Sequence, residues 1–239
     1  MATISSILFP KLIETKKISI DPFYEIFCGP QAYAIHMGET VDTFNDNEEP
    51  IDPLKMNRGE IRKKHINRID LSEQGHEYVI APGEYIEVNS FEHVGVHKSM
   101  EAEVRGSSSL RRIGVDVLGG DLDPGHGMTR VFRYTLCMYN FLRSTPVVLT
   151  ATYVDEDRWE VHWGLHVGKI KFKTMEKTQG NKYKDYDKWP YGVYAGQTEP
   201  ETSLAGEKFE AMRRRPAPLP KDSRYRKGVK SSTLDHFNK

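Results

Sequence analysis

Cysteine is scarce in this sequence: of 239 residues only Cys28 and Cys137 are cysteines, and they form no Cys-x-x-Cys pair. This scarcity argues against a disulfide framework and against a cysteine-based zinc site. The two residues are instead typical of small core side chains in a compartment that keeps thiols reduced. We therefore expect a cytoplasmic protein.

Long apolar runs and a net charge are also absent. No apolar stretch approaches the roughly 18 residues of a membrane-spanning helix. The short one at residues 4–10 has no basic segment before it and no cleavage site after it, so we expect no signal peptide. Lys and Arg together number 34, as do Asp and Glu. This balance argues against a membrane or nucleic acid as a partner of the chain as a whole.

What the sequence does contain is a series of short strand patterns between residues 76 and 172. Residues 76–80 and 85–88 flank a Pro-Gly pair, which predicts two strands around a tight turn. Further β-branched or alternating segments occur at residues 147–154, 159–163 and 169–173. Short strands at this spacing predict an all-β sandwich, barrel or jelly roll.

Three other segments depart from this pattern. Residues 4–17 predict a short amphipathic helix that Pro10 weakens. Residues 41–75 are rich in Asn, Asp, Glu, Lys and Arg and predict a long polar insertion exposed to solvent. Residues 205–239 contain ten Lys and Arg against four Asp and Glu, with three prolines. We therefore expect one domain over residues 1–204 and a flexible basic tail over 205–239, which could contact nucleic acid or a phosphate-rich site.

Residues 103–125 are the segment most suggestive of chemistry. They combine a Gly-Ser-Ser-Ser turn with three arginines and an Asp-Pro-Gly turn. Small residues let backbone N–H groups approach an anion closely, and Arg105 and Arg112 could donate charge-assisted hydrogen bonds to phosphate oxygens. The segment lacks Gly-Lys-Ser or Gly-Lys-Thr, so it is not a P-loop. From these residues alone, a phosphate site and an ordinary turn between strands both stay open.

Residues 106–114, Gly-Ser-Ser-Ser-Leu-Arg-Arg-Ile-Gly, resemble the Gly-Arg-Ser-Ser-Leu-Ala-Arg-Leu-Gly signature of dCTP deaminases. Residues 122–125 resemble that family's Ile-Asp-Pro-Gly. Weaker pieces of the family pattern follow in the family's order, at residues 18–22, 29–33, 37–38, 82–84, 91–92, 168–172 and 194–198. The chain is thus similar, over residues 15–205, to the dCTP deaminase/dUTPase superfamily.

That resemblance implies a distorted β jelly roll or β-barrel of the dUTPase-like type with short helices. It implies a homotrimer whose active sites lie between the subunits. The implied substrate is a pyrimidine deoxynucleoside triphosphate, dCTP or dUTP, with Mg²⁺ bound through the triphosphate. The implied reaction is deamination of dCTP to dUTP, with or without diphosphate release to dUMP.

The same resemblance assigns roles by position. Ser108 and Arg112 would organise the attacking water and the phosphates. Asp123 matches the aspartate that, in dUTPases, orients water for attack on the α-phosphate. The implied nucleotide and phosphate contacts are Arg105, Ser107, Ser109, Tyr186, Tyr194 and Gln197.

The catalytic glutamate of the family has no match in this sequence. It belongs on the strand predicted at residues 130–140, whose apolar even positions should face the core. Aligned on the Tyr-Asn pair that ends this strand, the position is Cys137; counted from the Asp-Pro-Gly turn, it is Arg133. An unperturbed thiol, with a pKa of about 8.5, is a poor base near neutral pH, and a guanidinium is none. Two alternatives to deamination therefore stay open: a dUTP or dCTP diphosphatase that uses Asp123, and a catalytically inactive nucleotide-binding or structural trimer.

Overall fold

The computed structural model of the protein describes residues 2–45, 63–128, 133–175, 217–221 and 223. The expected nucleotide contacts Tyr186, Tyr194 and Gln197 lie outside these residues. The described helices are α1 (Phe9–Glu14) and α2 (Ser108–Arg111). The strands are β1 (Ile18–Asp21), β2 (Tyr33–Phe44), β3 (Ile66–Asp70), β4 (Glu77–Ile80), β5 (Tyr85–Val96), β6 (Met100–Gly106), β7 (Val115–Leu118), β8 (Asp121–Leu122), β9 (Arg133–Asn140), β10 (Val147–Thr150), β11 (Tyr153–Asp155), β12 (Glu160–His162), β13 (His166–Thr174) and β14 (Ala217–Pro218).

Nine strands form one antiparallel sheet in the order β7–β9–β5–β2–β13–β6–β8, with β1 beside β5 and β3 beside β2. The two ends of this order are joined in the chain, since β7 ends at Leu118 and β8 begins at Asp121. Next to this join, the Val104 N–H donates to the Gly120 carbonyl at 2.9 Å. The sheet therefore curls back on itself, which confirms the expected all-β fold of the barrel or jelly-roll type.

The core lies inside this curled sheet and is built by the alternation of strand residues. On β9, Tyr134, Leu136 and Met138 are buried, as the apolar stripe at even positions predicted. Arg133 differs from that prediction, because it stands at an odd position and is only 4% exposed. In the described part of the chain, no helix is long and apolar enough to span a bilayer.

The helix predicted at residues 4–17 is shorter in the structure. A 3₁₀ turn at Ser6–Leu8 leads directly into α1. Pro10 occupies the first turn of α1, where the backbone N–H would have no helical partner, so it is compatible with this helix.

A tight turn joins residues 76–80 to 85–88, as expected, since the Glu84 N–H donates to the Ala81 carbonyl at 3.1 Å. Both β4 and β5 form, but β4 pairs with β10, whereas β5 pairs with β1, β2 and β9. The segment 147–154 forms two strands, β10 and β11, rather than one. Between them the Thr152 N–H donates to the Met37 carbonyl at 2.7 Å, which turns the chain away from the first strand.

The polar insertion expected at residues 41–75 has regular structure at both of its described ends, and most of its described residues are at least partly exposed. β2 continues to Phe44 and forms a regular antiparallel pair with β3. Val41 is fully buried, and the buried Asp42 carboxylate accepts two hydrogen bonds from Arg68, at 2.6 and 2.7 Å. One pair of opposite charges, Asp42 and Arg68, thus meets across β2 and β3, which composition alone does not distinguish from exposure to solvent.

A short part of the C-terminal tail is bound to the domain, so the flexible tail expected over residues 205–239 needs correction there. β14 pairs with β12, and the Leu219 N–H donates to the Trp159 carbonyl at 2.8 Å. Leu219 is only 2% exposed, and Ser223 is buried as well. An apolar side chain and strand pairing therefore fix this stretch, and the other tail residues lie outside the described ones.

Candidate functional site

A pocket of about 480 Å³ lies where β6 leads into α2 and where β7 leads into β8. Its lining combines two arginines, two serines and three carboxylates: Arg105, Arg111, Ser107, Ser108, Glu103, Asp116 and Asp121. Guanidinium and hydroxyl groups donate hydrogen bonds to anions, whereas carboxylates bind cations. The pocket therefore suits a ligand that carries an anionic group together with a cation.

A glycine makes this pocket possible. β6 ends at Gly106, where a Cβ atom would overlap the carbonyl oxygen of Val117 on β7. Because only glycine allows two backbones to approach so closely, this position cannot carry a side chain without moving β7. Ser107 follows in an extended conformation, and its N–H donates to the Val167 carbonyl at 2.8 Å. The turn that carries the serines is thus fixed by its close approach to β7 on one side and by the hydrogen bond to Val167 on the other.

Both arginines of the pocket are held by neighbouring carboxylates. Arg111 Nη2 donates to Asp116 Oδ2 at 2.7 Å, and Arg105 Nε donates to Glu103. The hydrogen bond from Arg105 lowers the pKa of the Glu103 carboxyl. The two arginine side chains are 60% and 67% exposed, and ion pairs so close to water contribute little to stability. An anion of higher charge could therefore replace these carboxylates as the hydrogen-bond acceptor of both guanidinium groups.

Three of the expected site residues line the pocket: Arg105, Ser107 and Ser108. Ser109 and Arg112 lie exposed on or next to α2 and are not among its lining residues. The expected role of Arg112 stays a prediction, whereas Arg111, to which the sequence assigned no role, lines the pocket. The signal that could have identified it is Asp116, a carboxylate five residues later in the chain that binds Arg111.

Asp123 lies exposed directly after β8 and is not among the residues that line the pocket. Partial removal from water, and then the carboxylates of Asp121 and Glu101, raise the pKa of Asp123. The Asp123 carbonyl accepts a hydrogen bond from the His126 N–H at 3.0 Å, so a turn follows it, as the Asp-Pro-Gly sequence indicates. Despite this concentration of acids, the described residues contain no group of three or more His, Cys, Asp or Glu placed to hold a metal ion.

Cys137 belongs to a row of directly paired residues that crosses five neighbouring strands. The row consists of Leu118 on β7, Cys137 on β9, Glu87 on β5, Asp42 on β2 and Arg68 on β3. Paired residues share a face of the sheet, and Leu118 is 55% exposed, so the row lies on the outward face. Leu118 also lines the pocket.

Glu87 is the carboxylate that sequence reasoning missed. The Cys137 thiol donates to Glu87 Oε1 at 4.0 Å across the β5–β9 ladder. Burial raises the pKa of the Cys137 thiol, and the Glu87 charge adds to this effect. The signal available in the sequence was the alternation of β5, in which Ile86 and Val88 are buried and Glu87 points to the other face.

Arg133, the other position considered for the missing glutamate, lies inside the fold. Its Nε donates to His93 Nε2 at 3.3 Å, and the two residues are directly paired between β9 and β5. Of the two positions considered for the missing glutamate, Cys137 therefore faces outward and Arg133 does not.

A histidine–glutamate pair lies in the interior, away from the pocket. His36 Nδ1 lies 2.6 Å from Glu92 Oε1, and the His36 backbone N–H donates to Glu92 Oε2 at 2.9 Å. Both side chains are almost completely buried. Nearby, burial and then the charge of His36 lower the pKa of His166 to about 3. These groups connect β2, β5 and β13 and do not open onto the pocket.

Comparison with known proteins gives one consistent family. A family described as dCTP deaminase-like matches residues 5–175. A protein of Methanosphaera stadtmanae named dCTP deaminase, dUMP-forming, is 28% identical over 220 residues, which cover 89% of this chain and 98% of that protein. A protein of Tropheryma whipplei with the same name is 26% identical over 206 residues, which cover 84% of this chain and 91% of that protein.

A solved structure supports the fold independently. The crystal structure of 2′-deoxycytidine 5′-triphosphate deaminase from Agrobacterium tumefaciens matches with a TM-score of 0.50 at 14% sequence identity. The match covers 76% of this chain and 51% of that chain, so this chain spans about half the length of that protein.

Proposed function

Since the chain belongs to the dCTP deaminase-like family, we propose that it hydrolyses a pyrimidine deoxynucleoside triphosphate. The reaction we propose is deamination of dCTP to dUTP, with diphosphate release to dUMP as a second step. The names of the relatives, dCTP deaminase, dUMP-forming, support this choice of substrate and product.

The observation that carries the proposal is the pocket at the Gly-Ser-Ser-Ser turn. This turn is the stretch that resembles the family signature, and it places Ser107, Ser108 and two arginines around one cavity. A triphosphate carries more charge than a single carboxylate, so Arg105 and Arg111 would leave Glu103 and Asp116 to bind it. Tyr186, Tyr194 and Gln197 remain predicted nucleotide contacts, as do Ser109 and Arg112.

Magnesium fits this pocket through the chemistry of its donors. Mg²⁺ is usually bound by substrate phosphates and one or two carboxylates, with water completing its shell. Asp116 and Asp121 line the pocket and could supply those carboxylates. The ion would neutralise part of the triphosphate charge.

We also propose that three copies of the chain assemble and share their sites. The outward face of the sheet carries large apolar residues that are substantially exposed: Phe44, Tyr85, Leu118 and Tyr139. An exposed apolar face of this kind is typical of a protein–protein contact. Analytical ultracentrifugation should give three times the chain mass of 27.5 kDa, and a monomer would contradict the shared sites.

A diphosphatase that does not deaminate is the second candidate, because Cys137, at the expected position of the catalytic glutamate, is a thiol and not a carboxylate. In that case Asp123 would orient water for attack on the α-phosphate. Its raised pKa implies that this activity would be lost at a higher pH than with an ordinary aspartate.

The decisive experiment is incubation of the protein with Mg²⁺ and either dCTP or dUTP, with nucleotides separated by chromatography and ammonia measured. Ammonia together with dUTP or dUMP from dCTP supports deamination. Release of dCMP and diphosphate without ammonia supports the diphosphatase instead. Stabilisation by dCTP without any turnover supports a nucleotide-binding protein, and no stabilisation contradicts a nucleotide site altogether.

Two variants connect this assay to the pocket. Arg111→Ala should raise the KM for dCTP by at least about tenfold, because a charge-assisted bond to phosphate is worth roughly 1.5–3 kcal/mol. Arg158→Ala is the matched control, since Arg158 is equally exposed and also pairs with an aspartate, Asp155, away from the pocket. Equal effects of the two substitutions would contradict the assignment of the pocket.

A further inference from the structure

The outward row on the curled sheet contains carboxylates with different surroundings. Asp42 is bound through both oxygens by Arg68. Glu87 is the next residue in the row and has the Cys137 thiol on its other side, at 4.0 Å. Asp42 is thus held by a guanidinium, whereas Glu87 lies next to the position on β9 where the catalytic glutamate was expected.

Deamination of a cytosine ring needs a group that both accepts and donates a proton. Water must lose a proton as its oxygen bonds to C4, ring atom N3 must gain one, and the amino nitrogen must gain one before it leaves as ammonia. A positioned carboxylate performs such transfers and contributes roughly 10²–10⁴-fold to the rate. Cys137 is poorly suited to this role, because burial keeps its thiol protonated.

We propose that Glu87, on β5, is the proton-transfer carboxylate of this protein, in place of a carboxylate on β9. This inference rests on the proposed deamination. Directly paired residues of an antiparallel ladder have Cα atoms about 4.5–5.5 Å apart. A glutamate on β5 can therefore present its oxygens near the position that a side chain on β9 would reach, and Glu87 already contacts Cys137 there.

The proton and bond changes balance without a further reactant. Glu87 takes a proton from water while the oxygen bonds to C4, and it delivers that proton to N3. It then takes the proton of the new hydroxyl group and delivers it to the amino nitrogen. The C4–N bond breaks, ammonia leaves, the C4 carbonyl forms, and Glu87 is again a carboxylate.

The test compares four variants by their kcat for ammonia release from dCTP. Glu87→Gln should lose at least about 100-fold, the lower range for a proton-transfer group. Cys137→Ala should lose clearly less than Glu87→Gln, because the thiol contacts Glu87 without itself transferring a proton. The double variant Glu87→Gln/Cys137→Glu, which moves the carboxylate across the ladder, should recover at least tenfold over Glu87→Gln. Glu160→Gln is the matched control, since Glu160 is a partly exposed strand glutamate outside the row.

Two further readouts separate proton transfer from a structural role. dCTP should still stabilise Glu87→Gln against heat, and this variant should lose the acidic limb of the pH profile of kcat/KM. Three results would overturn the inference. Glu87→Gln could keep its turnover, or it could lose dCTP binding along with turnover. Cys137→Ala could lose as much kcat as Glu87→Gln. If the unsubstituted protein releases no ammonia, the proposed function itself fails, whereas an active protein with an active Glu87→Gln variant refutes only the role of Glu87.

Discussion

Substitution of Leu219 tests whether the C-terminal segment is part of the folded domain. Leu219 is 2% exposed, and its N–H donates to the Trp159 carbonyl. Leu219→Ala removes three carbon atoms from a closed site and leaves a cavity, and buried Leu→Ala substitutions cost roughly 2–5 kcal/mol. Because Leu219 directly follows the short edge strand β14, which can relax toward the gap, we expect a loss near the lower end, about 2–3 kcal/mol.

The assay is urea unfolding followed by tryptophan fluorescence, with the free energy of unfolding extrapolated to water. For a domain of this size, about 2–3 kcal/mol corresponds to a fall in Tm of roughly 4–12 °C. Lys221→Ala is the control, because Lys221 is exposed two residues further on, and it should change stability by less than about 0.5 kcal/mol. A Leu219→Ala effect as small as that of Lys221→Ala would refute the packing of this segment and restore the flexible tail that composition suggested.

Three more predictions concern the pocket and the interior. Gly106→Ala should lower stability by at least about 2 kcal/mol and abolish stabilisation by dCTP, because a Cβ overlaps the Val117 carbonyl; normal dCTP binding would contradict the close approach. The pKa of His166 is lowered to about 3 in the folded protein, so between pH 3 and about 6.5 the unfolded chain binds more protons at this residue than the folded one. The free energy of unfolding should therefore fall as the pH drops through that range. His166→Gln should show a shallower fall over that range in urea titrations, and an identical slope would be inconsistent with a neutral buried histidine. Glu92→Ala should lower the free energy of unfolding by about 3–5 kcal/mol, because it removes the carboxylate that binds two groups of the buried His36. A Tm within 2 °C of the unsubstituted protein would contradict this prediction, since it corresponds to roughly 1 kcal/mol or less.

The sequence was most informative where the pattern is local. The apolar stripe of β9 and the alternation of β13 follow from the two-residue repeat of a strand, and both strands form. The Gly-Ser-Ser-Ser turn was identified from its small residues, and the structure places Ser107 and Ser108 in a pocket with Arg105. In each case the deciding feature is set by residues within a few positions of each other.

The sequence was less informative wherever distant segments meet. Two strands around a tight turn were predicted at residues 76–88, but which strands they pair with was not, and both find partners elsewhere in the chain. Residues 41–75 were also described by their charge, although Asp42 and Arg68 neutralise each other across a hairpin. A pattern of charged residues states which side chains are present and leaves open whether water or an opposite charge surrounds them.

The features of the candidate site also separate into those set by a local pattern and those set by contacts between distant segments. By itself the sequence determined the strand-rich fold class, the serine turn and the absence of a glutamate from β9, because each depends on residue types in a continuous stretch. Only the tertiary structure decided that Arg111 enters the pocket and that Glu87 lies beside Cys137, 50 residues away in the chain. The physical reason is that the register between strands is fixed by the packing of the whole curled sheet, and that register selects which side chains share a face.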